Sequence, residues 1–141
     1  MTQGFPIGEA ARRSGLKVPT IRYYELIGLL PVPPRTKGNR RLYDDTDLKR
    51  LAFIRHAREL GFAIEAIRSL LALQDNPSQP CTAADAIARQ RLAEVDNRLA
   101  SLVALRAELE RMITECAFGR VADCRVIEIL SGLTHRHGPL A

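Results

Sequence analysis

Apolar residues in the first 73 positions recur at helical spacing, in four short stretches of which the first three end at glycines. Residues 5–15 and 18–28 each carry one apolar side, and they end at Gly15 and Gly28. Pro19 stands in the first turn of the second stretch, where the missing N–H of a proline costs nothing. Two short helices joined by a glycine-containing turn predict a helix-turn-helix.

A proline-rich segment and a basic turn follow, and then the helical period returns twice. Residues 35–43 place a Gly-Asn turn between two short segments, which predicts a small, very basic β-wing. Aspartates within residues 44–47 offer N-caps for a helix that runs to Gly61, and residues 62–73 repeat the period. Residues 1–74 are therefore predicted to form a winged helix-turn-helix domain. The prolines that prevent helix continuation before the wing are Pro31, Pro33 and Pro34.

Beyond a polar, proline-bounded linker at residues 75–81, the pattern predicts one long helix. Residues 82–116 contain no Gly or Pro, and their apolar positions alternate in steps of three and four, interrupted at Arg106. A helix of about 34 residues would be about 50 Å long, too long for so small a domain to pack. The same helix of a second chain would complete it as an antiparallel coiled coil in a homodimer, and the alternative is a helix that folds back on its own domain. The apolar seam consists of Leu92, Val95, Leu99, Leu102, Leu109, Ile113 and Cys116.

Composition agrees with a folded, mainly α protein and argues against a membrane span. Hydrophobic residues make up 46% of the chain, and the longest apolar runs are only a few residues. Crossing a bilayer takes about 20 such residues in succession. No charged, apolar signal segment follows Met1. We therefore expect a cytoplasmic protein without a membrane partner.

The net charge of +5 is concentrated at one end of the chain. Residues 1–68 carry thirteen Lys and Arg against seven Asp and Glu, whereas the remainder carries eight against nine. A basic head beside a nearly neutral remainder is typical of a polyanion-binding domain joined to an assembly or sensing element. The alternative is a solvated basic face.

Three cysteines in a chain without a secretion signal indicate metal binding, redox chemistry or burial rather than a disulfide framework. Cys81 precedes the long helix and Cys116 ends it, so an antiparallel dimer would bring Cys81 of one chain to Cys116 of the other. Cys124 follows eight residues later, across a loop long enough to fold back. This predicts a three-thiolate site at each end of the dimer, suited to soft ions. The alternatives are a core role for Cys116 and an incidental one for Cys81.

Other chemistry is weakly indicated. His135 and His137 lie near the C-terminus, where a solvated tail is the usual environment, and either histidine or a water is an open candidate for a fourth metal ligand. The chain has no Gly-rich phosphate loop, nucleophile elbow or His-Glu protease pattern. We therefore expect a protein that is not an enzyme.

Three segments together resemble the MerR family of transcriptional regulators over nearly the whole chain. The most specific is Ile-Arg-Tyr-Tyr-Glu at residues 21–25, followed by Gly28, which resembles the family's recognition helix. The wing at residues 35–43 and the junction at residues 58–62 are also similar. The family's wing commonly has an aromatic residue where this chain has Arg40.

The resemblance implies contacts with double-stranded promoter DNA. The recognition helix would meet the major groove and flanking phosphates, and the wing and the third helix would hold the backbone. Tyr24 is expected in the core rather than at the DNA. The implied DNA-binding residues are Thr20, Arg22, Tyr23, Arg35, Lys37, Arg40, Arg41, Tyr43 and Arg58.

The cysteine positions resemble the metal-sensing branch of the family. The copper(I) sensors of that branch usually carry Ser where this chain has Cys81, so the resemblance implies a sensor of Zn(II), Cd(II), Pb(II) or Hg(II) bound by Cys81, Cys116 and Cys124. It also implies a regulator that distorts the promoter for RNA polymerase. Two alternatives stay open: a Cu(I) sensor with two thiolates, and a thiol-redox sensor.

Overall fold

Nearly all the regular structure of the chain is helical. The computed structural model describes residues 4–116 and 119–133. Its elements are α1 (Ile7–Ser14), α2 (Val18–Leu26), α3 (Asp45–Glu59), α4 (Ile64–Gln74), α5 (Thr82–Thr114), a 3₁₀ turn (Val121–Asp123) and α6 (Arg125–Ser131). The predicted mainly α fold, with N-terminal helix-turn-helix helices, a long helix and a short C-terminal helix, is confirmed.

Helices α1 to α4 enclose one apolar core. Helix α1 packs on α2 and α3, and α3 packs on α4. Burial of the apolar side chains in this core supplies most of the stability of this part of the chain. The largest fully buried side chains are Tyr43, Ile21, Leu29, Leu30, Leu51, Ile54, Ile67 and Leu71.

Glycines in the left-handed conformation follow α1, α2 and α3 and end these three helices. Gly28 has φ 81° after α2, and the N–H of Leu29 donates to the carbonyl of Tyr24 at 2.9 Å. The same closure follows α3, where Gly61 has φ 82° and the N–H of Phe62 donates to the carbonyl of Ala57 at 3.1 Å. Because Phe62 is used to close α3, α4 begins two residues later than the sequence pattern predicts.

The wing is pinned to the core by backbone pairing. Phe5 and Tyr43 exchange two backbone hydrogen bonds, of 2.9 and 2.8 Å, and form an antiparallel bridge. Arg35 and Arg41 form a second antiparallel bridge, across the turn. Asn39 takes a left-handed φ of 63° at that turn. Single bridges therefore stand where the sequence predicted two short strand segments.

Helix α5 is a single 33-residue element that leaves most of its apolar positions open to solvent. The exposed leucines and isoleucine of the predicted seam are Leu92, Leu99, Leu102, Leu109 and Ile113. The helix ends at Thr114, where the N–H of Cys116 bonds to Ile113 at 3.2 Å in a tighter final turn. Its end is thus two residues earlier than predicted.

The chain divides into two compact units, Met1–Ile87 and Ala88–Ala141. The first contains α1 to α4, and the second contains most of α5 together with α6. Within the described residues, no helix combines the length and apolar character that a membrane crossing requires.

Candidate nucleic-acid interface and metal centre

Helix α2 has one side in the core and one side in solvent. Lys17 precedes it in extended conformation, and Pro19 lies in its first turn, so the helix begins without a side-chain cap. Its exposed residues follow the spacing i, i+3, i+4, i+7 of a single helical stripe. A free stripe on the second helix of a helix-turn-helix can enter a DNA groove. The exposed stripe is Pro19, Arg22, Tyr23 and Leu26, and the buried residues are Ile21, Tyr24 and Glu25.

The turn of the wing is ordered by its own polar groups. Arg35 Nη1 donates to Asn39 Oδ1 at 3.1 Å, and the backbone N–H of Thr36 donates to the carbonyl of Arg40 at 2.7 Å. The side chains of Lys37 and Arg40 are exposed at the turn. The wing therefore presents cations on a constrained backbone, as a phosphate-binding arm requires.

A cleft of about 1010 Å³ separates α2 from the wing. Four guanidinium groups line it, those of Arg22, Arg35, Arg40 and Arg41. Leu26 and Val32 add apolar surface to its walls, and both are exposed. A cationic groove with apolar walls suits a phosphodiester backbone, because the charges attract phosphates and the walls can contact sugars.

Two residues predicted to contact DNA, Arg41 and Tyr43, instead bind Glu25 inside the head, which is the part of the chain formed by α1 to α4 and the wing. The Tyr43 hydroxyl donates to Glu25 Oε1, and Arg41 Nη1 donates to Glu25 Oε2. Tyr43 is fully buried, and burial together with the Glu25 carboxylate raises the pKa of its hydroxyl. The Tyr43 side chain is therefore buried with its hydroxyl bound to Glu25, and the side chain of Arg41 is only partly exposed.

The remaining predicted DNA residues lie at or near the head surface. Arg22, Tyr23, Arg35, Lys37 and Arg40 are accessible on α2 and the wing. Thr20 is half-buried in the first half of α2. Arg58 is exposed in the last turn of α3, where its Nη1 donates to the carbonyl of Phe62 at 3.1 Å. Arg58 therefore also closes the end of its own helix.

The structure adds cleft residues that the sequence analysis missed. Leu26 stands seven residues after Pro19, so the helical period alone would have placed it on the exposed stripe. Val32 and Asn39 reach the cleft through the fold of the loops that carry them. Glu25 carried no sequence signal for its role, because its two partners lie 16 and 18 residues away.

In the second unit, the structure brings together two of the three predicted metal ligands. Cys116 Sγ and Cys124 Sγ are 3.8 Å apart, and both thiols are unoxidised and partly buried. The backbone N–H of Ile127, and next that of Val126, lowers the pKa of the Cys124 thiol. Thiolate is the form that binds soft metals, so these N–H groups favour metal capture.

An ion-pair network holds the end of α5 beside the start of α6. Arg125 Nε donates to Glu115 Oε2 at 2.7 Å, and its Nη1 donates to Glu128 Oε1 at 3.0 Å. Glu115 neighbours Cys116 and Arg125 neighbours Cys124. The network therefore supports the spacing of the two sulfurs. No sequence pattern indicated this network, because it joins residues on either side of the 3₁₀ turn.

The third predicted ligand lies in the first unit. Cys81 is exposed, and its backbone carbonyl accepts from the N–H of Asp85 at 2.9 Å in the first turn of α5. Among residues 4–116 and 119–133, no three His, Cys, Asp or Glu side chains are grouped closely enough to hold a metal ion. His135 and His137 lie outside the described residues.

Comparison with protein families identifies two matching regions. Residues 5–74 match the family described as MerR HTH family regulatory protein, and residues 48–112 match the family described as MerR, DNA binding. The two matches cover the head and most of α5.

Comparison with individual proteins gives similar regulators over most of the chain. The HTH-type transcriptional regulator ZntR of Escherichia coli (strain K12) is 42% identical over 129 residues, which are 89% of this chain and 92% of that protein. The heavy metal-dependent transcription regulator 2 of Rhizobium meliloti is 38% identical over 122 residues, covering 86% and 83% of the two chains.

Comparison with solved structures gives a similar metal-bound regulator. The transcription regulator PbrR691 from Ralstonia metallidurans, in complex with lead(II), superposes with a TM-score of 0.79 at 36% identity. The similarity covers 90% of this chain and 99% of that one. MerR from Bacillus megaterium, in complex with mercury(II), superposes with a TM-score of 0.71 at 26% identity, covering 91% and 100% of the two chains.

Proposed function

The chain belongs to the MerR family, in its metal-dependent branch of non-enzymatic transcriptional regulators, and from that premise we propose that it senses a soft divalent ion through Cys81, Cys116 and Cys124. The candidate ions are Zn(II), Cd(II), Pb(II) and Hg(II). We place this activity in the cytoplasm, where thiols stay reduced. The regulators from R. metallidurans and B. megaterium, with lead(II) and mercury(II) respectively, support a divalent ion.

The observation that carries the proposal is the 3.8 Å separation of Cys116 Sγ and Cys124 Sγ. With metal–sulfur bonds of about 2.3 Å, two thiolates on one tetrahedral ion lie about 3.8 Å apart. A linear two-thiolate ion would hold them about 4.6 Å apart with the same bond length. The pair therefore fits an ion that takes further ligands better than it fits two-coordinate binding.

A partner chain would supply the third thiolate. Cys81 lies before α5 and Cys116 after it, and the exposed seam of α5 calls for a second helix. If the partner's helix runs antiparallel, its own Cys81 arrives at this chain's thiol pair. The homodimer would then hold two symmetric sites, each made from both chains.

Charge supports a divalent ion at such a site. Three thiolates and an ion of charge +2 leave a net charge of −1, whereas an ion of charge +1 leaves −2, which is harder to bury. Binding would bias the dimer between two arrangements of its DNA-binding heads. Heads that hold a promoter by its backbone can then untwist or bend it, which allows RNA polymerase to engage.

A Cu(I) sensor is the second candidate. The structure places Cys116 and Cys124 together within one unit, so a two-thiolate site would need no partner residue. In that reading Cys81 has no role in binding. Thiol-redox sensing also uses the Cys116 and Cys124 pair, through a disulfide, and likewise leaves Cys81 idle.

Anaerobic titration of the reduced full-length protein tests the proposal. Zn(II), Cd(II), Pb(II), Hg(II) and Cu(I) are added in turn, with thiolate charge-transfer absorbance as the readout. We expect about one divalent ion per subunit, and loss of divalent binding in Cys81→Ser. Thr82→Ser, a neighbouring and equally exposed position, is the matched control. If Cu(I) binds best and Cys81→Ser binds it as wild type does, the proposal is wrong and the protein is a Cu(I) sensor with two thiolates.

A heterodimer test addresses the intersubunit character of the site. Differently tagged Cys81→Ser and Cys116→Ser subunits are co-expressed, and the mixed dimer is purified. The first subunit keeps its thiol pair and the second keeps Cys81, so an intersubunit site predicts one ion per mixed dimer. Neither homodimer should bind a divalent ion. An empty mixed dimer would contradict the shared site, and disulfide formation without metal uptake in air would favour redox sensing.

A further inference from the structure

The buried side chain of Glu25 is an unusual feature of a surface expected to bind DNA. It belongs to α2 and lines the cationic cleft, yet only 3% of the side chain is exposed. A carboxylate near phosphates lowers DNA affinity by repulsion, and a buried one is costly unless it is paired. Because this carboxylate costs both desolvation energy and DNA affinity, we expect it to have a structural role in the head.

Its two partners, Arg41 and Tyr43, both lie in the segment that returns from the turn of the wing. Arg41 supplies a guanidinium that balances the charge, and Tyr43 supplies a hydroxyl that satisfies the second oxygen. The side chain of Arg41 is 28% exposed. Arg41 and Tyr43 are two residues apart, and in an extended backbone such residues point to the same side, so both can contact Glu25 on α2 at once.

Backbone hydrogen bonds hold the same segment against Phe5 and the outgoing arm of the wing. Tyr43 pairs with Phe5, and Arg41 bridges to Arg35 on the outgoing arm of the wing. The N–H of Leu42 donates to the carbonyl of Pro34 at 3.0 Å. Through these bonds, Glu25 links α2 to the wing that carries Arg35 and Arg40.

We propose that Glu25 is a positioning residue for DNA binding, which holds the wing at a set distance from α2 through Arg41 and Tyr43. Arg35, Lys37 and Arg40 are then left to contact phosphates while α2 occupies the major groove. Arg41 and Tyr43 act through Glu25 rather than on the DNA. This inference rests on the proposed DNA-binding function and assigns three residues within it.

The sign of the effect of Glu25→Gln separates positioning from simple electrostatics. Removing a negative charge beside bound DNA should strengthen binding if charge alone matters. Positioning predicts weaker binding, because the amide neither balances Arg41 nor holds Tyr43 as a carboxylate does. Glu9→Gln is the matched control, since Glu9 is a carboxylate of α1 that pairs with Arg12 and Arg13 on the same unit.

The experiment uses the full-length dimer and a duplex of about 30 base pairs, enriched from a random pool by the wild-type protein. Affinity is measured by fluorescence anisotropy at fixed salt, well below the melting temperature of each variant. We expect about tenfold weaker binding for Glu25→Gln and for Tyr43→Phe, and at most about twofold further loss in the double variant, since both changes break one linkage. Glu9→Gln should bind at least as tightly as wild type.

Footprinting supplies a readout that a loss of stability alone would not change. Hydroxyl-radical protection should fall at the phosphates flanking each major-groove contact, while guanine N7 interference in the groove is retained. Equal or tighter binding by folded Glu25→Gln, or an additive loss of about a hundredfold in the double variant, would overturn the positioning role. Failure of the wild type and of Glu9→Gln to enrich any duplex would instead refute DNA binding itself.

Discussion

The head buries many of its large apolar side chains, whereas the long helix exposes most of its own. In the head, Leu51, Ile54 and Ile67 are completely buried, and the buried carboxylate of Glu25 is paired. Along α5, Leu99 and Leu102 lie open to solvent in a helix of 33 residues. The head thus buries its apolar core within one chain, whereas α5 exposes the seam that we propose a second chain covers. The polar chemistry shows the same contrast, since residues of one chain line the cleft of the head, whereas within residues 4–116 and 119–133 no third potential metal ligand joins the thiol pair.

Disrupting the seam should produce the largest effect. Leu102→Glu places a charge where two helices would meet, and a buried leucine is worth about 2–5 kcal/mol. We expect the dissociation constant of the dimer to rise at least about a hundredfold, because symmetry introduces the change twice. Sedimentation equilibrium measures it. Asn97→Glu, exposed and outside the seam, is the control, and equal dimer stability in the two variants would refute the coiled-coil prediction.

A cavity in the head should be the next largest change. Leu51→Ala removes a fully buried side chain of α3, and we expect the free energy of unfolding to fall by about 2–5 kcal/mol. Leu26→Ala, at a position 83% exposed, should change it by less than about 0.5 kcal/mol. Urea unfolding followed by circular dichroism, at one fixed dimer concentration, compares them. Similar losses in both variants would contradict a self-contained head core.

The start of α3 offers a smaller test of local structure within the head. The Asp44 side chain accepts from the N–H of Asp47 at 3.0 Å, and the Asp47 side chain accepts from the N–H of Asp44 at 3.0 Å. Asp44→Ala should cost about 1 kcal/mol of unfolding free energy, because it removes this capping box. Asp45→Ala removes a carboxylate from the same turn without removing the cap. The capping role fails if both variants lose the same amount.

The alkaline limit of stability should show the smallest effect. The folded-state pKa of Tyr43 is raised by burial and by Glu25, so its contribution is fully present below the ordinary tyrosine pKa of about 10 and is lost as pH rises toward the folded value. The loss from this group should be less than about 1 kcal/mol at pH 10.5. Urea unfolding at pH 8 and pH 10.5 measures it in wild type and Tyr43→Phe. The variant should lose less stability between the two pH values, and an equal loss would contradict the shifted pKa.

Much of the fold follows from signals that are local in the sequence. The period of apolar residues places α1 to α4, and Gly15 and Gly28 mark where the first two helices end, because a left-handed residue stops the hydrogen-bond ladder. Tyr24 was expected in the core and is buried there. The absence of Gly and Pro over residues 82–116 was enough to predict a single long helix, which ends only two residues early.

The candidate site was only partly predictable, because some of its contacts join residues that are distant in the sequence. Arginine and tyrosine in a basic wing indicate DNA contact by residue type, but type alone does not reveal that Arg41 and Tyr43 turn inward to Glu25. That pairing depends on how the returning segment of the wing packs against α2. The spacing of Cys116 and Cys124 allowed a shared site, and the turn between α5 and α6 decided that their sulfurs lie 3.8 Å apart.

The sequence by itself determined the order of the helices, the glycines that end α1 and α2, the basic head and the three thiols, since each depends on neighbours within a few residues or on composition. Only the tertiary structure decided which polar groups are exposed around the cleft and which are paired inside the head. Partners such as Glu25 and Tyr43 are distant in the chain, and a buried charge must be satisfied by whichever group the packing brings near. Local patterns carry no record of that choice.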